Sequence, residues 1–328
     1  MNKYQILALK SFRKVYTTIF NSKKEAKPEC IQDAKFASTI IYNALMAEQP
    51  CMIARFGSTE LTCLANYIGV HQQKEQYLQY FRGKSFPWWW EPKIIHQMQN
   101  WSGFFPASVE KIEQFCKLML DDIPQVDVLG SWLSMEQLFE KELTAKRVHL
   151  RLLEPFWSSF PWTKALVGKK VLVVHPFVDT IEYQYIHRHF LFNNTEMLPD
   201  FKSLKIIKAV QTLGEGDTRF KDWFAALEYM KSEIDKVDYD VCLIGCGAYG
   251  FHLAAHVKRS GKKGIHLGGA LQLLFGIRGK RWEDPNYGVK EWEIPTGSYS
   301  DMMNEYWVRP AANDRPKNAE KVEGACYW

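Results

Sequence analysis

The stretch Asp240-Val241-Cys242-Leu243-Ile244-Gly245-Cys246-Gly247-Ala248-Tyr249-Gly250 carries the signal on which the fold turns. Its first half is a short apolar run ending in glycine, the pattern of a strand buried on both faces. Gly245, Gly247 and Gly250 satisfy G-x-G-x-x-G, and residues 249–260 have helical periodicity. Strand, glycine turn and helix in this order make half of a βαβ unit, with free N–H groups in the turn where a phosphate binds. The same glycines equally suit close packing of a helix on its strand. One part of the dinucleotide fingerprint is missing. About 20 residues further on, where an acid would hold the ribose, the chain reads Gly264-Ile265-His266-Leu267-Gly268.

The pattern repeats along the chain. Residues 51–56, 126–131, 148–153, 170–175, 205–211 and 264–267 read as further strands. Helical spacing of apolar residues marks 30–48, 59–68, 109–120 and 220–236. Alternation of this kind predicts an α/β fold, a Rossmann-like, mostly parallel sheet with helices on both faces. Residues 82–106, with Pro87-Trp88-Trp89-Trp90-Glu91-Pro92, read as an irregular insertion. The expected organisation is a basic amphipathic helix in 1–30 and a Rossmann-like domain over 31–282, with a soft boundary near 155–168. An irregular tail, 283–328, packs on that domain.

Composition narrows the function. With 328 residues, 46% hydrophobic and 24% charged, the chain can bury a large core and is not a disordered segment. A net charge of +5 is too mild to argue for nucleic acid. Seven scattered cysteines without a CxxC pair support neither a disulfide framework nor a zinc knuckle, and fit a reducing cytoplasm. Lys3, Lys10, Arg13 and Lys14 interrupt the apolar residues at the N-terminus, so no signal-peptide core is expected there. The segment reads instead as a helix that packs on the body or touches an anionic membrane surface, which would make the protein peripheral to the inner face of the membrane. Aromatic residues reach 14%, including 12 Trp, so some rings are available for stacking on sugars while most fill the core.

In parallel sheets ligands bind at the carboxyl ends of the strands. There the sequence places Arg55-Phe56-Gly57-Ser58-Thr59-Glu60, with Ser58 as the expected N-cap of the next helix, Arg55 beside its N–H groups and Glu60 in its first turn. Glu60 either complements the helix dipole or serves as a functional carboxylate. His175 and Glu154 also follow predicted strands, as candidate bases or structural groups. Arg278, Lys280 and Arg281, among glycines and beside Trp282, form either a diphosphate clamp or a solvated loop.

The segment Ile53-Ala54-Arg55-Phe56-Gly57-Ser58-Thr59-Glu60-Leu61 resembles the R-[FY]-G-[DS]-x-E motif of bacterial glycosyltransferases with the GT-D fold. The 240–270 block resembles the C-terminal βαβ unit of that family, and the likeness extends over about residues 35–282. The resemblance implies transfer of a sugar from a nucleotide diphosphate, a UDP-sugar, to a glycan or lipid-linked acceptor in surface-polysaccharide synthesis, as for O-antigen or capsule. It also implies a divalent cation, Mg²⁺ or Mn²⁺, on an Asp-x-Glu pair; here Ser58 stands in place of the Asp and only Glu60 remains.

The expected donor site is Arg55, Gly57, Ser58, Thr59, Gly245, Gly247, Tyr249, Gly250, Arg278 and Arg281, with Glu60, His175 or Glu154 as catalytic groups. Trp88, Trp89, Trp90 and Trp157 are expected to meet the acceptor. No NAD and no nucleic acid are expected. The alternatives are an NAD- or nucleotide-dependent sugar-modifying enzyme, resting on the glycine pattern, and a non-catalytic glycan-binding protein, resting on Trp88–Trp90.

Overall fold

In a computed structural model, residues 1–20, 27–72, 75–212, 219–314 and 325–328 are described. Parts of the two expected terminal segments, 21–26 and 315–324, lie outside them. Seven strands form one sheet: β1 Cys51–Arg55, β2 Val128–Ser131, β3 Lys146–His149, β4 Lys170–His175, β5 Ser203–Lys208, β6 Val241–Ile244 and β7 Lys263–His266. Their order is β3-β2-β1-β7-β6-β4-β5, and every pairing is parallel. The sheet runs through both sides of the expected boundary near 155–168, because β1 pairs with β7.

Period-two alternation sorts the strand side chains into two cores. Met52, Ala54, Leu172, Val174, Cys242 and Ile244 face one layer. It is built from α3 (Ser58–His71), α6 (Val109–Asp122), α8 (Trp223–Asp235) and α9 (Tyr249–Arg259). Cys51, Ile53, Val171, Val173, Val241 and Leu243 face the other layer, which holds α2 (Ala34–Met46), α7 (Val178–Ile186) and the tail residues Tyr299 and Trp307. Burial on both faces explains why these strands are continuously apolar. At one edge, β5 exposes Lys205 and Lys208 to solvent, a charge pattern that discourages pairing with another chain.

Several local expectations change. Residues 150–153 were expected to extend β3, but they form a 3-10 turn, closed when the Arg151 amide donates to His149 Nδ1 at 3.3 Å. Strand β5 ends at Lys208, so 209–212 are free to line the edge of the sheet. The expected insertion 82–106 contains a regular helix, α5 (Pro92–Ser102), with proline in its first turn and Gly103 in the left-handed region at its end. The helix expected over 30–48 begins later, capped by Asp33, whose side chain accepts from the Phe36 amide.

Among the described residues no helix is long and apolar enough to cross a membrane.

Candidate functional site

The strands β1, β4, β6 and β7 end at a common cleft of about 270 Å³. Arg55, His175 and His266 are the last residues of β1, β4 and β7, and Gly245 follows β6. Ala209 to Thr212 border the cleft beyond β5, and Trp101, Trp132, Arg281, Tyr327 and Trp328 also line it. This is the position that the crossover geometry of a parallel sheet leaves open for a ligand.

Each glycine of the turn after β6 has a distinct structural cause. A Cβ at 245 would lie 2.8 Å from the Gly268 carbonyl oxygen and 2.8 Å from the His175 ring. Gly247 has φ +59, and nothing lies within 4 Å of where its Cβ would point. A side chain on Gly250 would run into the His266 ring. The first and third glycines therefore serve packing, and the second leaves bare backbone at the cleft. Gly250 itself does not line it, contrary to expectation.

At β1, α3 is capped by Gly57 rather than by Ser58, one residue earlier than expected; Ser58 is the exposed first residue of the helix. Gly57, Ser58, Thr59 and Glu60 all border the cleft. The Glu60 carboxylate folds back over Gly57, occupying the space of a Cβ there. The Arg55 guanidinium stands 5.4 Å from the Trp132 ring and makes no hydrogen bond or ion pair among the described residues. Burial lowers its pKa, and nearby Glu60 opposes the shift. Trp132 is fixed in turn, its indole N–H donating to the Phe56 carbonyl at 3.2 Å and its amide to the buried Glu136 carboxylate at 2.9 Å.

His175 accepts a hydrogen bond at Nδ1 from the Phe177 amide, 3.1 Å away. Its proton therefore sits on Nε2, and the ring is a donor, not the base expected from its place at a strand end. Burial pulls its pKa down to about 3. His266 is held at about 3 as well, by burial and by the adjacent Arg55, and its Nδ1 is buried without a partner.

Glu154 and Trp157 lie outside the cleft, in the opposite core. Glu154 Oε2 accepts from Trp157 Nε1 at 2.9 Å and from the Tyr299 hydroxyl at 2.8 Å, so the carboxyl expected to be catalytic anchors the tail. Burial raises it to about 7. Arg278 also leaves the expected site. Its guanidinium donates to the Asn304 carbonyl at 2.9 Å, and its backbone amide donates to Val308. Trp88 and Trp89 pack edge-on against Tyr80 in α4 (Tyr77–Phe81), and Trp90 lies near Tyr67 of α3. None of the three tryptophans borders the cleft.

Arg281 does border it, 3.0 Å from Cys326 Sγ and 4.8 Å from the centre of the Tyr327 ring. Tyr249 is tied to Thr212 by a 3.1 Å contact between hydroxyls. The site thus gains Trp101, Trp132, Gln211, His266, Tyr327 and Trp328, none of them singled out from sequence. His266 ends a strand and Trp132 follows one, so both obey the strand-end rule. Tyr327 and Trp328 come from the tail and carry no local signal.

The resemblance implies a divalent cation at positions 58 and 60. Glu60 is the one carboxylate among the described residues that border the cleft, and two arginines share that space. Among the described residues no cluster of three His, Cys, Asp or Glu is placed to hold a metal. This donor set does not fit Mg²⁺ or Mn²⁺, which require several oxygen ligands.

The buried groups fix a pH dependence. The two histidines bind protons in the unfolded chain near their ordinary value of 6.5 but not in the folded one, so they remove stability as pH falls from about 6.5 toward 3. Glu154 acts with the opposite sign: its contribution is present below its ordinary 4.5 and is lost as pH rises through about 7. Below about 4.5 Glu154 no longer opposes them, and the lowered carboxyls of Asp200, Asp222 and Asp238 add to the loss on the acid side. Melting temperature recorded against pH falls on the acid side, and His175→Gln makes that fall shallower.

The fold and the cleft define the class: an α/β protein with an all-parallel, Rossmann-like sheet and a cationic, glycine-lined cleft at its strand ends. Against protein-family models, curated proteins and solved structures, the chain has no match.

Proposed function

We propose that the protein is a glycosyltransferase of GT-D type that moves a sugar from a nucleotide diphosphate, a UDP-sugar, to a glycan or lipid-linked acceptor in surface-polysaccharide synthesis. The observation that carries this reading is Arg55, a half-buried guanidinium bordering the cleft with no anion bound to it among the described residues. A desolvated cation is costly unless something of opposite charge joins it. The first turn of α3 and the bare backbone at Gly247 border the same cleft and supply N–H groups, a combination suited to a diphosphate.

In the proposed reaction the diphosphate lies against Arg55, Arg281 and the N-terminus of α3. The Glu60 carboxylate takes the proton of the acceptor hydroxyl as its oxygen bonds to the anomeric carbon. The bond from that carbon to the phosphate oxygen breaks, and the nucleoside diphosphate leaves with the electron pair, its added charge met by the two guanidiniums. Glu60 takes this role because both cleft histidines are neutral and His175 presents a donor. No step is assigned to a metal.

A dinucleotide-dependent enzyme is the weaker reading, since β7 ends in a buried neutral His266 where an acid would hold the ribose. We expect no NAD. A screen of melting temperature against nucleotide sugars, free UDP and NAD tests the choice: a nucleotide-diphosphate sugar raises it by mass action. No shift with any nucleotide diphosphate, or a shift with NAD alone, overturns the proposal.

A further inference from the structure

The helix at the N-terminus, α1 (Lys3–Ile19), keeps much of its apolar surface out of contact with the fold. Its start is fixed by a capping box between Asn2 and Gln5. The face with Ile6, Leu9, Arg13 and Tyr16 is partly covered. There Arg13 stands 4.6 Å from the Tyr80 ring of α4, and Lys10 pairs with Glu91 at 2.6 Å. These contacts hold the helix in one rotation about its axis.

That rotation leaves Tyr4, Leu7, Val15 and Ile19 pointing to solvent, 81%, 61%, 55% and 68% exposed. With Ser11 between them they recur every three or four residues, so they form one stripe along the helix. Phe12 flanks it and is exposed too. A largely apolar stripe of this kind, broken only by Ser11, has no role in the monomer's core and marks a surface meant to be covered.

The charges beside the stripe say what covers it. Lys3, Lys10 and Lys14 are spaced seven and four apart, which sets them along one margin of the stripe. The helix contains four cations and no carboxylate. Lys3 and Lys14 make no ion pair among the described residues. A partner helix that matched the stripe alone would leave these ammonium groups unanswered. A bilayer with anionic headgroups answers both: the stripe enters the boundary between headgroups and acyl chains, and the lysines remain at the phosphate level.

We infer that α1 docks the protein in the plane of an anionic membrane surface, with Tyr4, Leu7, Val15 and Ile19 inserted and Lys3 and Lys14 against lipid phosphates. The inference does not depend on the reaction proposed for the cleft, and its test makes no use of nucleotide sugars.

The experiment is co-sedimentation of the intact protein with vesicles of phosphatidylcholine alone and of phosphatidylcholine mixed with phosphatidylglycerol. The wild type sediments with the mixed vesicles, binds the neutral ones far less, and is released by salt. The triple variant Leu7→Ser, Val15→Ser, Ile19→Ser lowers binding to mixed vesicles by roughly tenfold or more. All three residues are exposed, so its melting temperature matches the wild type. The pair Lys3→Glu, Lys14→Glu gives a similar loss that no longer depends on salt. Equal binding by the triple variant, or no wild-type binding to either vesicle, overturns the inference. So does a wild-type dimer that the triple variant converts to monomer without any lipid binding, which would assign the stripe to a second copy.

Discussion

Glu60→Gln lowers sugar transfer by about 10²- to 10⁴-fold, the range for losing a positioned general base, and leaves donor affinity nearly unchanged. The replacement keeps the shape of the side chain, so the group still folds over Gly57 and the first turn of α3 is undisturbed. What disappears is the one side chain among the described residues bordering the cleft that is placed to take a proton. His175 cannot substitute, because its Nδ1 is engaged by the Phe177 amide, and His266 is buried and neutral. The readout is turnover of a nucleotide sugar by purified variants, split into kcat and donor KM. Unchanged kcat removes Glu60 from the mechanism. A loss confined to donor KM assigns it to a donor hydroxyl instead.

Arg55→Met has the second largest effect and an opposite sign in two measurements. Donor and free UDP bind roughly 10- to 100-fold more weakly, the loss expected for charge-assisted hydrogen bonds to a diphosphate. The folded protein itself is at least as stable as the wild type. Burial already works against the charged form of Arg55, and no hydrogen bond among the described residues is lost with it. Methionine fills much of the same volume without desolvating a charge. Calorimetric titration with UDP and a thermal melt without ligand check the pair of outcomes. A variant that melts well below wild type would show that Arg55 serves the fold. Unaltered UDP affinity would move the diphosphate elsewhere in the cleft.

The fold was legible because its strands are short apolar runs and its helices are amphipathic, two periodicities that local sequence displays directly. Where the periodicity misled, a specific interaction was responsible. Leu150, Leu152 and Leu153 read as strand, yet the imidazole of His149 caps a tight turn there. The three consecutive tryptophans at 88–90 obscured the helix that begins at Pro92, although proline in a first turn is itself a start signal.

The candidate site was legible only in part, and the division is physical. Arg55, Glu60, His175, Gly245 and Gly247 are fixed by the turns in which they sit, and the rule about strand ends finds them. The protonation of His175 depends on one amide two residues away, which only coordinates reveal. Glu154 and Arg278 looked comparable to Arg55 in sequence, but long-range partners, Tyr299 and Asn304, draw them into holding the tail. Trp88 to Trp90 looked like a sugar platform because three rings stood together. Their neighbours in space turn out to be α3 and α4.

One wall of the cleft comes from the far end of the chain. The Tyr327 ring lies where a side chain on Gly269 would otherwise sit, Gln272 donates to the Tyr327 carbonyl at 3.1 Å, and Trp328 faces Phe177. Arg55, on the first strand of the sheet, therefore shares a chamber with residues more than two hundred positions later. Contacts at such separation are the ones that chain entropy penalises most during folding. The pairing of β1 with β7 already spans such a separation, but it does not involve the tail, so the sheet can form before Tyr327 and Trp328 wall the cleft. A refolding experiment followed by far-ultraviolet dichroism would register the sheet and remain blind to the moment at which the protein becomes able to work.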